Sequence, residues 1–532
     1  MLKLLRHEPR LLLSCICSLL IVAAYFFLIP WTPAEDALIL FQYSEHLANL
    51  GRIVYNITDP APVEGATDFL WMLSLSLLYR LGIDTFVAAK CLSALSLAGI
   101  VVLLTKFAST PKTKPASLYL FFTCIMLLQV PVIAASTGFS VCTFGFCLLL
   151  TLWFARQKRF SPMILAGLIT CLIRPDGLLV IAPLVIGYCI RYRHMLTRND
   201  VFLLTLVFIG GIGYFLWRWH YFGHFLPLPF YVKSDAPRLF GFINRTSYSA
   251  LGILLFLLSP VLLFYIWRLK KEYDACWYYE APLFIVPILF YGAMELQQNI
   301  ALRFFYPIIL CLFALAAAHT QKYVRQLLLA CILCCVIQFP YYTKSLEQVT
   351  KPLTSHQIGR ALGSLEHKGV LLTSEAGGLS YYSGWQLIDT YGLNTPSIAT
   401  GGLTPDFIRQ SKADLIIIRD YPTPPHFRMD RWIGMLSTIH KGVDSSKYTL
   451  LSLPPSARFG LVLQNTSFRE FITSTLTLVG VPQHFMNFLF SYPGGEVLLV
   501  WVRKDSPYYS QLEPLMIAEG ATPVIRPEIY NK

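Results

Sequence analysis

The chain has 532 residues, 55% of them hydrophobic and 14% charged, with a mean hydropathy of +0.55. A soluble chain of this size carries roughly 25% charged residues, so most of this one belongs in lipid. The formal net charge of +13 does not mark a nucleic-acid ligand, because from Pro340 onward 17 basic residues are matched by 15 acidic ones. The remaining excess sits in short connections between apolar runs, the pattern of loops kept in the cytosol.

Lys3, Arg6 and Arg10 precede an apolar run over 11–29 that ends before Pro30. It exceeds a signal-peptide core and lacks a small-residue cleavage site, which predicts an uncleaved first span. Further runs of spanning or near-spanning length lie near 84–105, 117–133, 138–155, 161–173, 177–190, 201–219, 250–267, 282–296, 304–318 and 325–341. Basic clusters at Lys106/Lys112/Lys114, Arg156/Lys158/Arg159, Arg191/Arg193/Arg198, Arg268/Lys270/Lys271 and Lys322/Arg325 should all face the cytosol. They do so only if the short run 69–81 lies along or dips into the outer surface, leaving about eleven true spans.

That topology places five segments outside: Glu35–Asp68, Ala134–Ser140, Arg174–Gly177, Tyr221–Ser249 and Glu295–Arg303. Together they can line a cavity that opens outward. Beyond residue 341 the β-rich runs Gly369–Thr373, Asp414–Arg419, Tyr448–Leu453 and Glu496–Val502 alternate with turn-rich or amphipathic stretches. The expected architecture is a polytopic α-helical membrane domain over 1–341, with an outer loop at 30–68, followed by an extracytoplasmic mixed α/β domain over 342–532.

The 13 cysteines predict neither disulfides nor a metal centre, since none follows Cys335 and most sit in apolar runs, where cysteine packs as a small apolar residue. Cys331, Cys334 and Cys335 have no His or acid beside them. GxxxxGKS/T, HExxH, GxSxG and GxGxxG patterns are absent. Asn56-Ile57-Thr58 fits a glycosylation acceptor, which matters only in a eukaryotic secretory setting.

The informative residues are Glu35 and Asp36, just past the outer end of the first run. Carboxylates there are costly unless water, a cation or a reaction uses them. One of them can act as a general base on an acceptor hydroxyl, while Lys or Arg on the same face holds a departing phosphate. The plainer reading is a helix start, with Thr32, Glu35 and Asp36 opening a helix through 37–49. Arg174-Pro175-Asp176-Gly177 reads either as a tight turn with an Arg–Asp pair or as a phosphate contact. Lys233 and Arg303 stand beside aromatic belts, where snorkelling and ligand binding explain them equally. His220 and His224 have the i, i+4 spacing of a metal pair, with no third ligand in view.

These segments taken together resemble a known family. Glu35–Gly51, Val54–Asn56 and Val63–Trp71 are similar to the first outer loop of bacterial GT-C glycosyltransferases, above all the branch of the terminal arabinofuranosyltransferases of mycobacterial cell walls. Arg174–Gly177, Phe222–Lys233, Arg303–Pro307, Glu375–Ser383, Ile388-Asp389 and Gly392–Asn394 extend the likeness in the same order. Two departures stand out: Glu35 replaces a usual Asp, and Thr137–Val141 lacks an acid that the family often carries there.

The resemblance implies a multi-pass protein of the bacterial inner (cytoplasmic) membrane, with its C-terminal domain in the periplasm or outside. Such a protein transfers a sugar from a polyprenyl-phosphate donor to a glycan or glycolipid acceptor, with inversion. Asp36 would be the base and Glu35 would position it. Glu64, Arg174, Asp176, Lys233, Arg303, His46 and Asn56 would contact donor or acceptor. No cofactor is specified; a divalent cation stays open. A transporter or flippase of lipid-linked sugars is the rival class, although no paired hydrophobic halves are visible. A surface receptor with a single anchor would need one span rather than eleven.

Overall fold

The computed structural model describes residues 9–109, 115–233, 252, 254, 255, 257–271, 280–293, 300–318, 323–351, 353–420, 430–453 and 497–524. The chain forms two compact units. The first comprises Met1–Trp31, Asp68–His220 and Pro237–Leu346; the second comprises Thr32–Thr67, Tyr221–Ala236 and Glu347–Lys532. The outer loop therefore groups with the C-terminal residues, not with the helices that flank it in sequence.

In the first unit the helices are α1 (Pro9–Leu28), then, after α2 of the second unit (Glu35–Leu50), α3 (Phe69–Arg80), α4 (Thr85–Ala108), α5 (Pro115–Leu127), α6 (Val130–Ser136), α7 (Val141–Arg156), α8 (Phe160–Ile173), α9 (Leu178–Arg191) and α10 (Arg198–Phe222). After α11 of the second unit (Leu228–Lys233) follow α12 (Ser259–Lys271), α13 (Pro282–Ala293), α14 (Tyr306–Ala318) and α15 (Val324–Val349). Each apolar run of the sequence falls wholly or partly on one of these helices.

By length and apolarity four described helices can cross a membrane, Arg10–Leu28, Thr85–Ala108, Arg198–Phe222 and Ala301–Ala318, or six if two bent pairs each count as one span. The bends fall between α5 and α6 (78°) and within α15 (52°). Gln129 and Gln338 lie near these breaks, and their side chains hydrogen-bond at 3.2 Å, which satisfies two amides where water is scarce. With 12 residues α3 extends about 18 Å, short of the roughly 30 Å of a hydrocarbon core.

The centre of this unit is α14, buried from Tyr306 through Ala317. It packs against α7 at Gly145, where a Cβ would overlap Leu310 and Tyr306. At the other extreme, the apolar window of α10 is wholly unburied, with Phe202, Leu206, Phe208 and Ile209 exposed. A helix hydrophobic on all sides with such exposure suits a lipid-facing position.

The second unit continues with α16 (Thr354–Gly363), β1 (Val370–Thr373), α17 (Gly378–Ser383), β2 (Gln386–Asp389), α18 (Pro396–Gly401), α19 (Pro405–Ser411), β3 (Leu415–Asp420), α20 (Asp430–Gly442), β4 (Tyr448–Leu453), β5 (Val497–Arg503), α21 (Tyr509–Ala518) and β6 (Thr522–Pro523). The strands form one sheet in the order β2-β1-β3-β5-β4-β6. β1 pairs in parallel with β2 and β3, whereas β5 is antiparallel to β3 and β4. The four β-rich runs read from the sequence became β1, β3, β4 and β5; β2 and β6 carried no signal long enough to read.

Leu372, Ile416, Ile418, Leu499 and Trp501 form one face of the sheet's core, covered by Ile408 of α19 and by Met435 and Ile439 of α20. Because Ile416 is fully buried on a central strand, Ile416→Ala should cost about 2–5 kcal/mol. Thermal unfolding of the purified full-length protein, followed by near-UV circular dichroism, reads that loss.

Candidate functional site

Helix α2 starts at Glu35 after Pro33 and Ala34, and Ala34 offers no side-chain cap. The two acids of its first turn complement the helix dipole instead. It ends at Gly51, whose φ of 68° makes the left-handed cap and whose N–H reaches Leu47 O at 3.1 Å. Ala37 through Ser44 are all buried, so this helix is a core element of the second unit.

Glu35 is bonded through both carboxylate oxygens. Oε2 accepts from Ser355 Oγ and His356 Nε2, each at 3.1 Å, and Oε1 accepts from the Gly378 N–H at 2.8 Å. A carboxylate only accepts, so Nε2 of His356 carries the proton. Burial works to raise the Glu35 carboxyl, but the hydrogen bond and electrostatic attraction of His356, the Gly378 N–H and the Ser355 hydroxyl outweigh it and hold the group below its ordinary range. Asp36, the next residue, projects about 100° further round the helix. It is half-buried and is not one of the groups gathered around the Glu35 carboxylate.

Loop 53–65 is fastened in the same unit. Gln42 Nε2 donates to Tyr55 O at 2.7 Å, and His46 Nδ1 meets Val54 O at 3.1 Å. Tyr55 donates its hydroxyl to Ala376 O. Asn56 uses its whole amide: Nδ2 donates to Asp59 Oδ1 at 3.0 Å and to Leu387 O at 3.1 Å, and Oδ1 accepts from Leu387 N at 2.8 Å. It thereby pairs with the outer edge of β2 as a strand residue would. Glu64 is buried, and the next residue, Gly65, donates its N–H to Tyr43 Oη at 3.0 Å. Tyr43 in turn donates to Asn394 Oδ1 at 3.0 Å. Asn394 is held by Asp389, whose carboxyl burial pushes up against three N–H donors, those of Tyr391 N, Asn394 N and Asn394 Nδ2.

The other basic and acidic candidates lie in the first unit. Pro175 keeps Arg174 extended (φ −145°, ψ 128°), so α8 ends at Ile173 and a 3₁₀ turn over Pro175–Gly177 leads into α9. Arg174 grips Asp176 with two bonds, Nε to Oδ1 at 3.0 Å and Nη2 to Oδ2 at 2.6 Å, and Tyr291 Oη donates to the same carboxylate at 2.5 Å. Of the two readings of this motif, the Arg–Asp turn describes the observed geometry.

Arg303 follows Ala301 and Leu302, which hold left-handed φ values of 52° and 56°; each such residue costs on the order of 1–3 kcal/mol. Its guanidinium lies 4.0 Å from the centroid of Phe139 and 5.0 Å from that of Phe304, and Arg174 lies 5.2 Å from the same Phe304 ring. One aromatic ring thus carries two arginines. Asp68, half-buried at the head of α3, accepts from Ser140 Oγ at 2.5 Å. Burial pushes its carboxyl up against the attraction of Arg174 and the Ser140 hydroxyl. Ser140 belongs to the Thr137–Val141 stretch that lacks its own acid, and it recruits one from elsewhere in the chain.

Lys233 closes α11, and its side chain lies outside the described residues. Among the described residues no group of three or more His, Cys, Asp or Glu is placed to hold a metal. The contacts of His356, Asp68 and Tyr291 were not legible in the sequence; the polar Thr354-Ser355-His356 run that opens α16 was the one trace of the first.

Three comparisons bear on this geometry. Residues 342–465 match the family model described as "Domain of unknown function (DUF8728)". No curated protein matches the chain. Among solved structures, ArnT from Cupriavidus metallidurans bound to undecaprenyl phosphate is similar, with a TM-score of 0.51 and 12% identity over 78% of this chain and 93% of that one. The same protein in the apo state gives 0.51 and 12% over 76% and 92%. The chain is therefore similar in fold to ArnT.

Two outcomes test this geometry. A Cβ on Gly377 would overlap the Glu35 carbonyl, so Gly377→Ala should lower stability by about 1–3 kcal/mol, read as a lower melting temperature. Because the Glu35 carboxyl is depressed below its ordinary 4.5, its contribution is complete above that pH and disappears as pH falls through the folded value. Melting temperatures between about pH 3 and pH 7 should therefore decline at the acid end, and Glu35→Gln should flatten that decline.

Proposed function

We propose that this chain is a membrane glycosyltransferase that moves a sugar from a polyprenyl-phosphate donor to a cell-envelope glycan or glycolipid on the outer face of the membrane. The observation that carries the reading is the first turn of α2, where Glu35 is held through both oxygens by Ser355, His356 and Gly378 and so fixes the turn that carries the half-buried Asp36. The shared fold with a protein solved with undecaprenyl phosphate supports a lipid-phosphate donor.

In this reading Asp36 accepts the proton of the acceptor hydroxyl as its oxygen bonds to the anomeric carbon. The bond from that carbon to the phosphate oxygen breaks on the opposite face, which inverts the centre, and the polyprenyl phosphate leaves with the bonding pair. Arg174 and Arg303, stacked on the same Phe304 ring, belong with recognition of the phosphate. Glu64 and Lys233 belong with sugar or phosphate recognition. His46 and Asn56 are assigned to holding the loop, since Val54, Asp59 and Leu387 engage their polar atoms. About eleven spans, the second unit outside the cytosol, and an arabinofuranosyltransferase-like specificity complete the proposal.

Transfer is best assayed in membranes from a deletion strain that expresses each variant, which supply native donor and acceptor, with glycan products identified by mass spectrometry. Asp36→Asn should reduce the rate of incorporation by roughly 10²–10⁴-fold and leave binding of undecaprenyl phosphate intact. Arg303→Ala should weaken that binding by roughly 10-fold or more, as loss of a charge-assisted contact does. Movement of lipid-linked sugar across the bilayer without transfer, undiminished in Asp36→Asn, would turn the reading to a transporter.

A further inference from the structure

We infer that His356 is a positioning residue for the transfer reaction, acting through Glu35 on the orientation of Asp36. The inference rests on the reading of Asp36 as the base. The carboxylate of Glu35 is fixed from two helices at once: Ser355 and His356 stand in the first turn of α16, and the Gly378 N–H opens α17. Three bonds to two oxygens leave that side chain a single orientation. Because Glu35 is the first residue of α2, they also fix the rotation of the turn that carries Asp36.

The residues behind the clamp are built to hold it still. His356 is 1% exposed, its ring lies 5.3 Å from that of Tyr382, and a Cβ on Gly378 would overlap it. Gly359 and Gly363 of α16 permit close approach to α17, for a Cβ on either would overlap the backbone oxygen of Gly378 or Tyr382. A second bond, Tyr381 Oη to Glu45 Oε1 at 2.6 Å, ties the same α17 to α2 almost three turns further on. The helix pair therefore grips α2 at two heights. A catalytic side chain loses effect when its support lets it drift, and a misplacement of about 1 Å can cost on the order of 10²-fold in rate.

A histidine suits this place. Its Nε2–H reaches the carboxylate from a ring packed on Tyr382. Glutamine can place an amide N–H at nearly the same point, whereas alanine cannot.

The test compares full-length variants in the deletion-strain membranes described above, with undecaprenyl phosphate as the binding probe and melting temperature as the control. His356→Ala should reduce the rate of sugar incorporation by on the order of 10–10²-fold with undecaprenyl phosphate binding unchanged, and His356→Gln should restore most of it. Ser355→Ala, which removes one bond and little volume, should fall between them and covers the case in which His356→Ala does not fold. Glu35→Ala combined with His356→Ala should be no slower than the slower single variant, since both break one linkage.

Near wild-type incorporation in His356→Ala or Ser355→Ala beside an inactive Asp36→Asn would overturn this inference alone. Equal losses in His356→Ala and His356→Gln would overturn it as well. An active Asp36→Asn would remove the base itself, and this inference with it.

Discussion

A largely buried carboxylate, Glu35, holds the start of the most informative helix in the chain. Its cost of desolvation is met by three donors, and those donors come from residues more than 300 positions away. Removing any one of them would leave a buried charge short of partners, a larger penalty than an ordinary hydrogen bond is worth. That constraint explains the neighbouring sequence. Gly377 and Gly378 have no side chains because the Glu35 backbone and the His356 ring occupy that space. Glu35 departs from the aspartate usual in the family it resembles, and the longer side chain is the one seen spanning to both α16 and α17.

The helical unit solves a different problem, that of charge among apolar helices. Arg174 is neutralised two residues on by Asp176, Asp68 is stabilised by Ser140, and Arg303 spreads its charge over Phe139 and Phe304. Two non-glycine residues in left-handed conformation immediately precede Arg303. Such strain persists only where the surroundings over-determine it, and it is common at functional positions.

Much of the architecture was legible in the chain, and the reasons differ by element. Apolar runs announced the helices because lipid demands continuous hydrophobicity over a whole span. β1, β3, β4 and β5 showed through because they carry four or more β-branched or large apolar residues in succession, as Leu415–Ile418 does. Gln386–Asp389 did not, since an edge strand of four residues with one exposed polar end resembles a turn. The role of Asn56 at that edge was hidden for a similar reason. Its triplet reads as a glycosylation acceptor, and nothing in it shows that its amide pairs with Leu387 as a strand neighbour would. The acidic pair was visible; how Glu35 is held was not, because that depends on His356, a residue whose local sequence says nothing of what it touches.

The second unit is assembled from pieces scattered through the gene's order. Residues 32–67 leave the ribosome long before β1 and β2 exist, and they carry the side chain that completes the rim of β2. Until that rim arrives, Asn56 and the Glu35 carboxylate have no docking partners. Until the early loop is in place, the strand has an open side inviting unwanted pairing with other chains. A truncated product that begins near residue 342 would thus lack its own gatekeeper, whereas the complete polypeptide keeps one waiting throughout synthesis.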